Sequence, residues 1–312
     1  MVAMSSIAPA QEAAPTADSP RERFERYSQM FDADRAHALT VEQVEIGPRH
    51  PGSPGAQQFV AWAHQQFSQI RVQAHEQHFR AVNALTGTEE SGINIYAPIP
   101  AQAQHYIILS AHWDSRIYAD MDPDPSRRRD PVPAANDSAA SVGLLLEIAR
   151  VVTAHGLPEG LGIMVVFYDF EDQGRPTRPD EFVLGSEYFA RNLPEGYDVV
   201  GAINFTMIGD FDQVIPIERH SWRDARDLVN AFWSHGAALD PDRFVRRRQG
   251  FVVDDHVHLN RRGIPSIILL DFEYPEWHTV HDVPEKISPE SLRIVGLATL
   301  SFLAWGGAIL SP

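Results

Sequence analysis

The sequence contains no cysteine. That excludes disulfide frameworks, thiol nucleophiles and thiolate-held zinc, so any metal must rest on nitrogen and oxygen donors. The chain also lacks the run of ~18 or more apolar residues that a membrane-spanning helix needs, and it reads as soluble. Basic residues are scarce: 26 Lys and Arg face 42 Asp and Glu, for a formal net charge of -16. A field of that sign repels phosphate backbones and anionic lipid. Nucleic acid and membrane are therefore not expected as partners, although a local basic patch stays open. No internal repeat and no second compositional regime follows residue 20. The 312 residues are 44% apolar and 22% charged, ordinary for a globular protein and wrong for collagen-like, coiled-coil or disordered chains. The first twenty residues, rich in Ala, Pro and Ser, lack the basic start and apolar core of a leader. They read as a disordered tail, with the remnant of an export signal as the other reading, so a periplasmic or exported location stays open. Residues 21–312 are expected to form one domain.

What is present alternates. Ser19-Pro20 suits the cap and first residue of a helix, and Phe24, Tyr27, Met30 and Phe31 recur at helical spacing. Residues 47–55 are nearly all chain breakers, and a helix should follow over 56–69. Val72–Phe79 reads as an edge strand and Ile93–Ala97 as a short one. Tyr106–Leu109, Gly162–Tyr168 and Ser266–Leu270 read as buried strands, with a further strand over Val199–Phe205. Helices are expected over Ser138–Thr153, Ser186–Arg191 and Asp224–Ala238, and from Ser288 onward. The stretch Ser115–Asn136 is a long Pro- and Asp-rich loop, a lid or rim as readily as a structural cover. Arg127–Arg129 and Arg246–Arg248 read as solvated charge runs on loops. Strands alternating with helices give an α/β fold, a single domain with a central twisted mixed sheet between helices on both faces. In such sheets ligands bind outside the carboxyl ends of the strands.

Ionisable residues stand at those ends. His112 and Asp114 follow the strand at 106–111; Asp169, Glu171 and Asp172 follow that at 163–168; Asp271, Glu273, Trp277 and His278 follow that at 267–270. Asn136-Asp137 stands at the mouth of the helix near Ser138. Taken singly, each has an ordinary explanation: Asp137 as a helix cap, His256 or His281 as a surface or satisfied core residue, Glu171-Asp172 as a solvated loop. Together, carboxylates and imidazoles at one sheet edge suit zinc held by N and O ligands, with one of two adjacent carboxylates free to carry protons.

These residues resemble the family of zinc aminopeptidases and glutaminyl cyclases, and most of all the animal-type glutaminyl cyclases found in bacteria. The resemblance runs through Gly47-Pro48-Arg49, Ala111-His112-Trp113-Asp114-Ser115-Arg116, Ala135-Asn136-Asp137-Ser138, Tyr168-Asp169-Phe170-Glu171-Asp172 and Leu184-Gly185-Ser186. It continues in Asp254-Asp255-His256, Arg262-Gly263-Ile264-Pro265-Ser266 and Trp277-His278-Thr279. It implies one Zn2+ per chain held by Asp137, Asp172 and His278, with Glu171 as general acid and base. It implies Asp254 in the hydrogen-bond network around the substrate, Trp277 as an apolar pocket wall, and His112 kept beside the pocket without binding the metal. The implied substrate is a peptide or protein N-terminus whose Gln closes to pyroglutamate with loss of ammonia.

There is one departure. Where the family pattern has Asp at the end of the strand near residue 205, this chain has Thr206; Asp210 follows four residues later. A neutral hydroxyl is a poor substitute for an anionic ligand, which takes support from a second zinc and so from aminopeptidase hydrolysis. It equally removes a partner from the cyclase network, so a catalytically impaired relative that binds without turnover is the third reading.

Overall fold

The computed structural model describes residues 18–307; the first seventeen residues of the expected N-terminal tail lie outside them. The chain opens with α1 (Pro20–Met30), α2 (Ala33–Glu45) and α3 (Pro54–Gln69), then β1 (His75–Val82), β2 (Glu89–Ile99) and β3 (His105–His112). Next come α4 (Ala140–His155), β4 (Leu161–Tyr168), α5 (Leu184–Arg191), β5 (Val199–Thr206) and β6 (Ile215–Ile217). Then α6 (Arg219–Asp224), α7 (Arg226–Leu239), β7 (Phe244–Arg248), α8 (His256–Arg261), β8 (Ser266–Leu270) and α9 (Pro289–Ala304) complete it. Ser19 caps α1, as the sequence suggested, and the structure adds that Glu22 reaches back to the Ser19 backbone.

The main sheet is mixed, in the order β1-β2-β4-β3-β5-β8. β1 and β2 run antiparallel to their neighbours, while β4, β3, β5 and β8 are mutually parallel. Side chains alternate across each parallel strand. In β3, Ile107, Leu109 and Ala111 join the larger core beneath α2, α3, α4, α7 and α9, whereas Tyr106 and Ile108 join a smaller one with Phe189 of α5 and Leu259 of α8. Helices therefore cover both faces. The stretch Ala135–His155 is long and apolar enough to cross a membrane by length and composition, and 78% of it is buried inside the protein. Its apolar surface is spent on the core.

Several elements depart from the sequence reading. α2 and α8 form where none was expected. The expected 224–238 helix begins earlier, as α6 and α7. Arg246, Arg247 and Arg248 lie on strand β7, paired with β6 in a separate two-stranded sheet, not on a loop. β1 is an edge strand as expected, displaced to 75–82.

Arg49 locks the site end of the fold. It is wholly buried, and its guanidinium donates to the carbonyls of Gln43, Trp113 and Ala134, at 2.9, 3.2 and 3.0 Å. Trp113 in turn stacks on Phe59 of α3 with centroids 4.7 Å apart and donates to the Ile93 carbonyl at 3.0 Å. The chain segments on both sides of the long loop are thereby fixed. Gly185 shows how tightly the next one is fitted: a Cβ there would stand 1.9 Å from the Asp169 carbonyl oxygen, so only glycine lets α5 approach the turn after β4.

Candidate active site

Parallel neighbours end at the same edge, so the turns after β3, β4, β5 and β8 are brought together. Of the six non-glycine residues with positive φ among those described, five — Ala134, Phe170, Val183, Met207 and His278 — flank these turns or the start of α4. Such conformations cost ~1–3 kcal/mol each and persist where the surroundings dictate them, commonly at functional sites.

Asp137 is not a helix cap. It sits in an irregular turn before α4 with φ -114 and ψ 72, and α4 has no side-chain cap. Its carboxylate is free to meet Asp172 and His278, and one ligand atom from each lies within 4.8 Å of the others. His278 Nε2 is 3.1 Å from Asp172 Oδ1 and 3.7 Å from Asp137 Oδ2. All three side chains are buried and line one cavity. Two carboxylates and an imidazole converging on one point, open to a cavity on one side, form a donor set that fits zinc.

Each member is held from behind. Asp172 Oδ1 accepts from Arg116 at 3.2 Å, and Arg116 also grips Asp120 with two hydrogen bonds of 2.8 and 2.7 Å. Asp120 Oδ1 lies 3.4 Å from His278 Nδ1, an ion-pair contact rather than an aligned hydrogen bond. Burial works against a charge on His278, but Asp172 and Asp120 hold its pKa up at about 9. Asp137 Oδ1 faces His112 Nε2 at 2.9 Å and accepts from Thr206 Oγ1 at 3.3 Å.

Glu171 stands apart from this trio, 8% exposed and lining the same cavity. Burial raises its pKa well above the carboxylate range; His112 opposes the shift, while Asp254, Asp172 and Asp255 add to it. The backbone N–H groups of Glu171 and Asp172 donate to the Asp114 carboxylate at 3.1 and 3.2 Å, which holds the backbone of this turn in place. Asp254 also lines the cavity, and its Oδ1 accepts from Asn204 Nδ2 at 2.8 Å. Ser110 Oγ donates to Asn204 Oδ1 at 2.9 Å, which settles which way that amide points. The cavity is about 370 Å³, walled by Trp277, Phe182, Phe251 and Phe272.

The structure therefore gathers Asp137, Asp172, His278, Glu171, Asp254 and Trp277 around one cavity. Two expectations need correction, those for His112 and for Asp271 with Glu273, and two open readings close, those for Asp210 and the long loop. His112 does not line it: the ring turns back into the sheet edge, toward Asp137 on one side and the Asp114 carbonyl on the other, and is 1% exposed. Asp210 does not reach back to replace an acid at position 206; it lies in a separate pocket with Asp271 and Tyr274. Asp271 and Glu273 face that pocket too. The loop over 115–136 is a support, since none of its residues is among those lining the cavity. Sequence reasoning missed Arg116 and Asn204 as positioning groups. For Asn204 a signal exists: Asn204 and Thr206 are the polar pair two residues apart in an otherwise apolar strand, which puts both on one face.

A mixed α/β sheet with an Asp-Asp-His trio at the carboxyl edge of its parallel strands is the architecture of zinc exopeptidases. Residues 94–303 match peptidase family M28, and the chain belongs to that family. Relatives named as glutaminyl cyclases are among the proteins it resembles. A glutaminyl-peptide cyclotransferase of Drosophila melanogaster is 27% identical over 241 residues, covering 68% of this chain and 66% of the fly protein, just under two thirds of it. The crystal structure of Bacteroides thetaiotaomicron glutaminyl cyclase bound to N-acetylhistamine is 31% identical with a TM-score of 0.84, covering 88% of this chain and 98% of that one. A leucine aminopeptidase precursor from the same bacterium is 30% identical with the same TM-score of 0.84, covering 88% and 97%.

Proposed function

We propose that residues 21–312 act as one catalytic unit, a zinc-dependent glutaminyl-peptide cyclotransferase acting on the N-terminal Gln of peptides or proteins. The observation that carries this reading is the division of labour at the turn after β4. Asp172 joins the candidate metal-binding trio, while its neighbour Glu171 stays outside it, buried on the same cavity, with burial raising its pKa well above the usual carboxylate range. A zinc ion on Asp137, Asp172 and His278 would supply Lewis-acid polarisation of the Gln side-chain amide.

The chain's own residues do the rest. Trp277 and the phenylalanine wall exclude water and hold the Gln side chain folded on its own α-amine, a proximity effect. The α-amine nitrogen bonds to the side-chain carbonyl carbon, and Glu171 accepts the proton released. It returns that proton to the leaving nitrogen as the C–N bond breaks, so that ammonia and a pyroglutamyl peptide result. Positioned acid–base groups of this kind contribute ~10²–10⁴-fold. Asp254, oriented by Asn204, completes the acceptor network facing the amine.

The aminopeptidase reading draws support from the leucine aminopeptidase precursor among the structural neighbours. Against it stands Thr206, which donates to Asp137 and offers no carboxylate to a second metal. Ammonia release from Gln peptides, measured alongside zinc analysis, separates the two. The cyclase reading expects ammonia with close to one zinc per chain. Free amino acids from other peptides, two zincs and no ammonia would overturn it.

A further inference from the structure

The mouth of the cavity carries apolar side chains that a protein normally hides. Phe251, Val253 and Phe272 line it, yet they are 58%, 37% and 43% exposed. Outside this apolar rim stands a band of arginines. Arg219 and Arg223 of α6 lie over the Phe251 ring, their guanidinium carbons 5.7 and 5.9 Å from its centroid. On the same helix Trp222 carries two more, the guanidinium carbons of Arg226 and Arg248 lying 4.8 and 4.7 Å from its ring centroid. Arg223 is matched by Asp224. The nearby Glu218 is buried and engaged by His256 and by the backbone of His220, Ser221 and Val252. Among the described residues, Arg219, Arg226 and Arg248 make no ion pair with a carboxylate. In a chain of net charge -16, an unmatched basic band beside the site runs against the overall field.

Resting on the cyclase reading, the geometry points to a substrate class: peptides whose N-terminal Gln is followed by acidic residues at the third and fourth positions. An extended chain advances ~3.3 Å per residue, so two residues span the distance from the Phe251 ring to the guanidinium groups above it. With Gln at the trio and the second side chain against the Phe251–Phe272 rim, the next carboxylates arrive at the arginine band. Arginine's planar fork, already stacked on a ring, receives a carboxylate with little further loss of freedom. The protein's general negative field would turn such peptides away; the band provides the local reversal that admits them.

The test compares kcat/KM for ammonia release from Gln-Phe-Glu-Glu, Gln-Phe-Ala-Ala and Gln-Phe-Lys-Lys amides on the zinc-loaded full chain. The acidic peptide should exceed the basic one by roughly tenfold at low salt, and the gap should close at about 0.5 M salt. The Arg219→Ala, Arg248→Ala double variant should bring the ratio close to one, and Arg219→Lys, Arg248→Lys should keep most of it. A merely structural role for the arginines would move all three peptides together. Equal rates on acidic and basic peptides in the unmodified chain would overturn this inference and leave the cyclase reading intact. Absence of ammonia from every peptide would overturn the cyclase reading instead. Fluorescence anisotropy with the labelled peptides then decides the rim alone: tighter binding of the acidic peptide supports it and equal binding overturns it. A single-stranded oligonucleotide bound more tightly than the acidic peptide, and lost with the same arginines, would also overturn it.

Discussion

The parallel strands have a cavity at each end, built from opposite materials. At the amino ends of β3 and β4 lies the larger, about 910 Å³, lined by residues such as Pro98, Ala101, Leu157 and Leu161, with Arg71 and Glu159 as its only ionisable groups. At the carboxyl ends lies one of about 370 Å³ that collects Asp137, Glu171, Asp172, Asp254 and His278. Size and chemistry are thus separated within one sheet. The strands' direction makes the difference: loops leaving the carboxyl ends converge, and burial there raises the pKa of Glu171 and Asp254 above the usual carboxylate range.

The comparison breaks first at Glu171. Glu171→Gln should lower turnover by at least ~10²–10⁴-fold while zinc content stays at the unmodified level. Loss of metal from that variant would mean that Glu171 and Asp172 have exchanged roles. Removing zinc with a chelator should abolish ammonia release, and re-addition should restore it; Asp172→Asn should prevent the restoration. Asn204→Leu, which leaves Asp254 without its amide donor, should cost ~1.5–3 kcal/mol of transition-state stabilisation, seen as a drop in kcat/KM of about ten- to a hundredfold. Asn204→Gln, unable to reach both Ser110 and Asp254, should restore little of it.

Asp210 sharpens the comparison from outside the site. Burial, helped by Asp271, raises its pKa to about 6 from 3.8. The folded state then binds this proton more tightly than the unfolded chain, so stability falls as pH rises from about 4 to about 6 and stays lower above. Asp210→Asn should therefore stabilise the protein at pH 8 by about 1–2 kcal/mol, less than the ~3 kcal/mol such a shift carries for a fully withdrawn group, because this pocket is open to water. The gain should vanish below about pH 4 in thermal melts recorded across that range. The smallest effect belongs to the amino-end cavity: Gln104→Ala should change stability by less than about 0.5 kcal/mol and leave ammonia release unaltered.

Much of the site was legible in sequence because several of its ionisable groups stand at or just past the end of an apolar strand, as His112 closes β3 and Glu171 and Asp172 come shortly after β4. Its interior wiring was not. A buried guanidinium such as Arg116 looks in sequence like any other surface charge, and nothing in the chain around His112 says which way its ring turns. α2 was hidden because its buried side carries Thr40 and Gln43 beside Ala36 and Leu39, which breaks the apolar period. β7 was hidden because Phe244–Arg248 is mostly arginine; it lies at the margin, where those side chains remain exposed. What Thr206 does needed coordinates: its hydroxyl serves Asp137, and the amide of Asn204 serves Asp254.

The loop between Trp113 and Ala134 bears on the chemistry only at its base. Arg116 and Asp120 brace Asp172 and His278, and Asp122 accepts from the Val280 backbone, while residues 123–129 are exposed. Its outer turn is therefore a natural attachment point. A purification tag or fluorophore spliced in there would ride on the surface, while a single residue added near Ser115 would drag the anchoring arginine out of place.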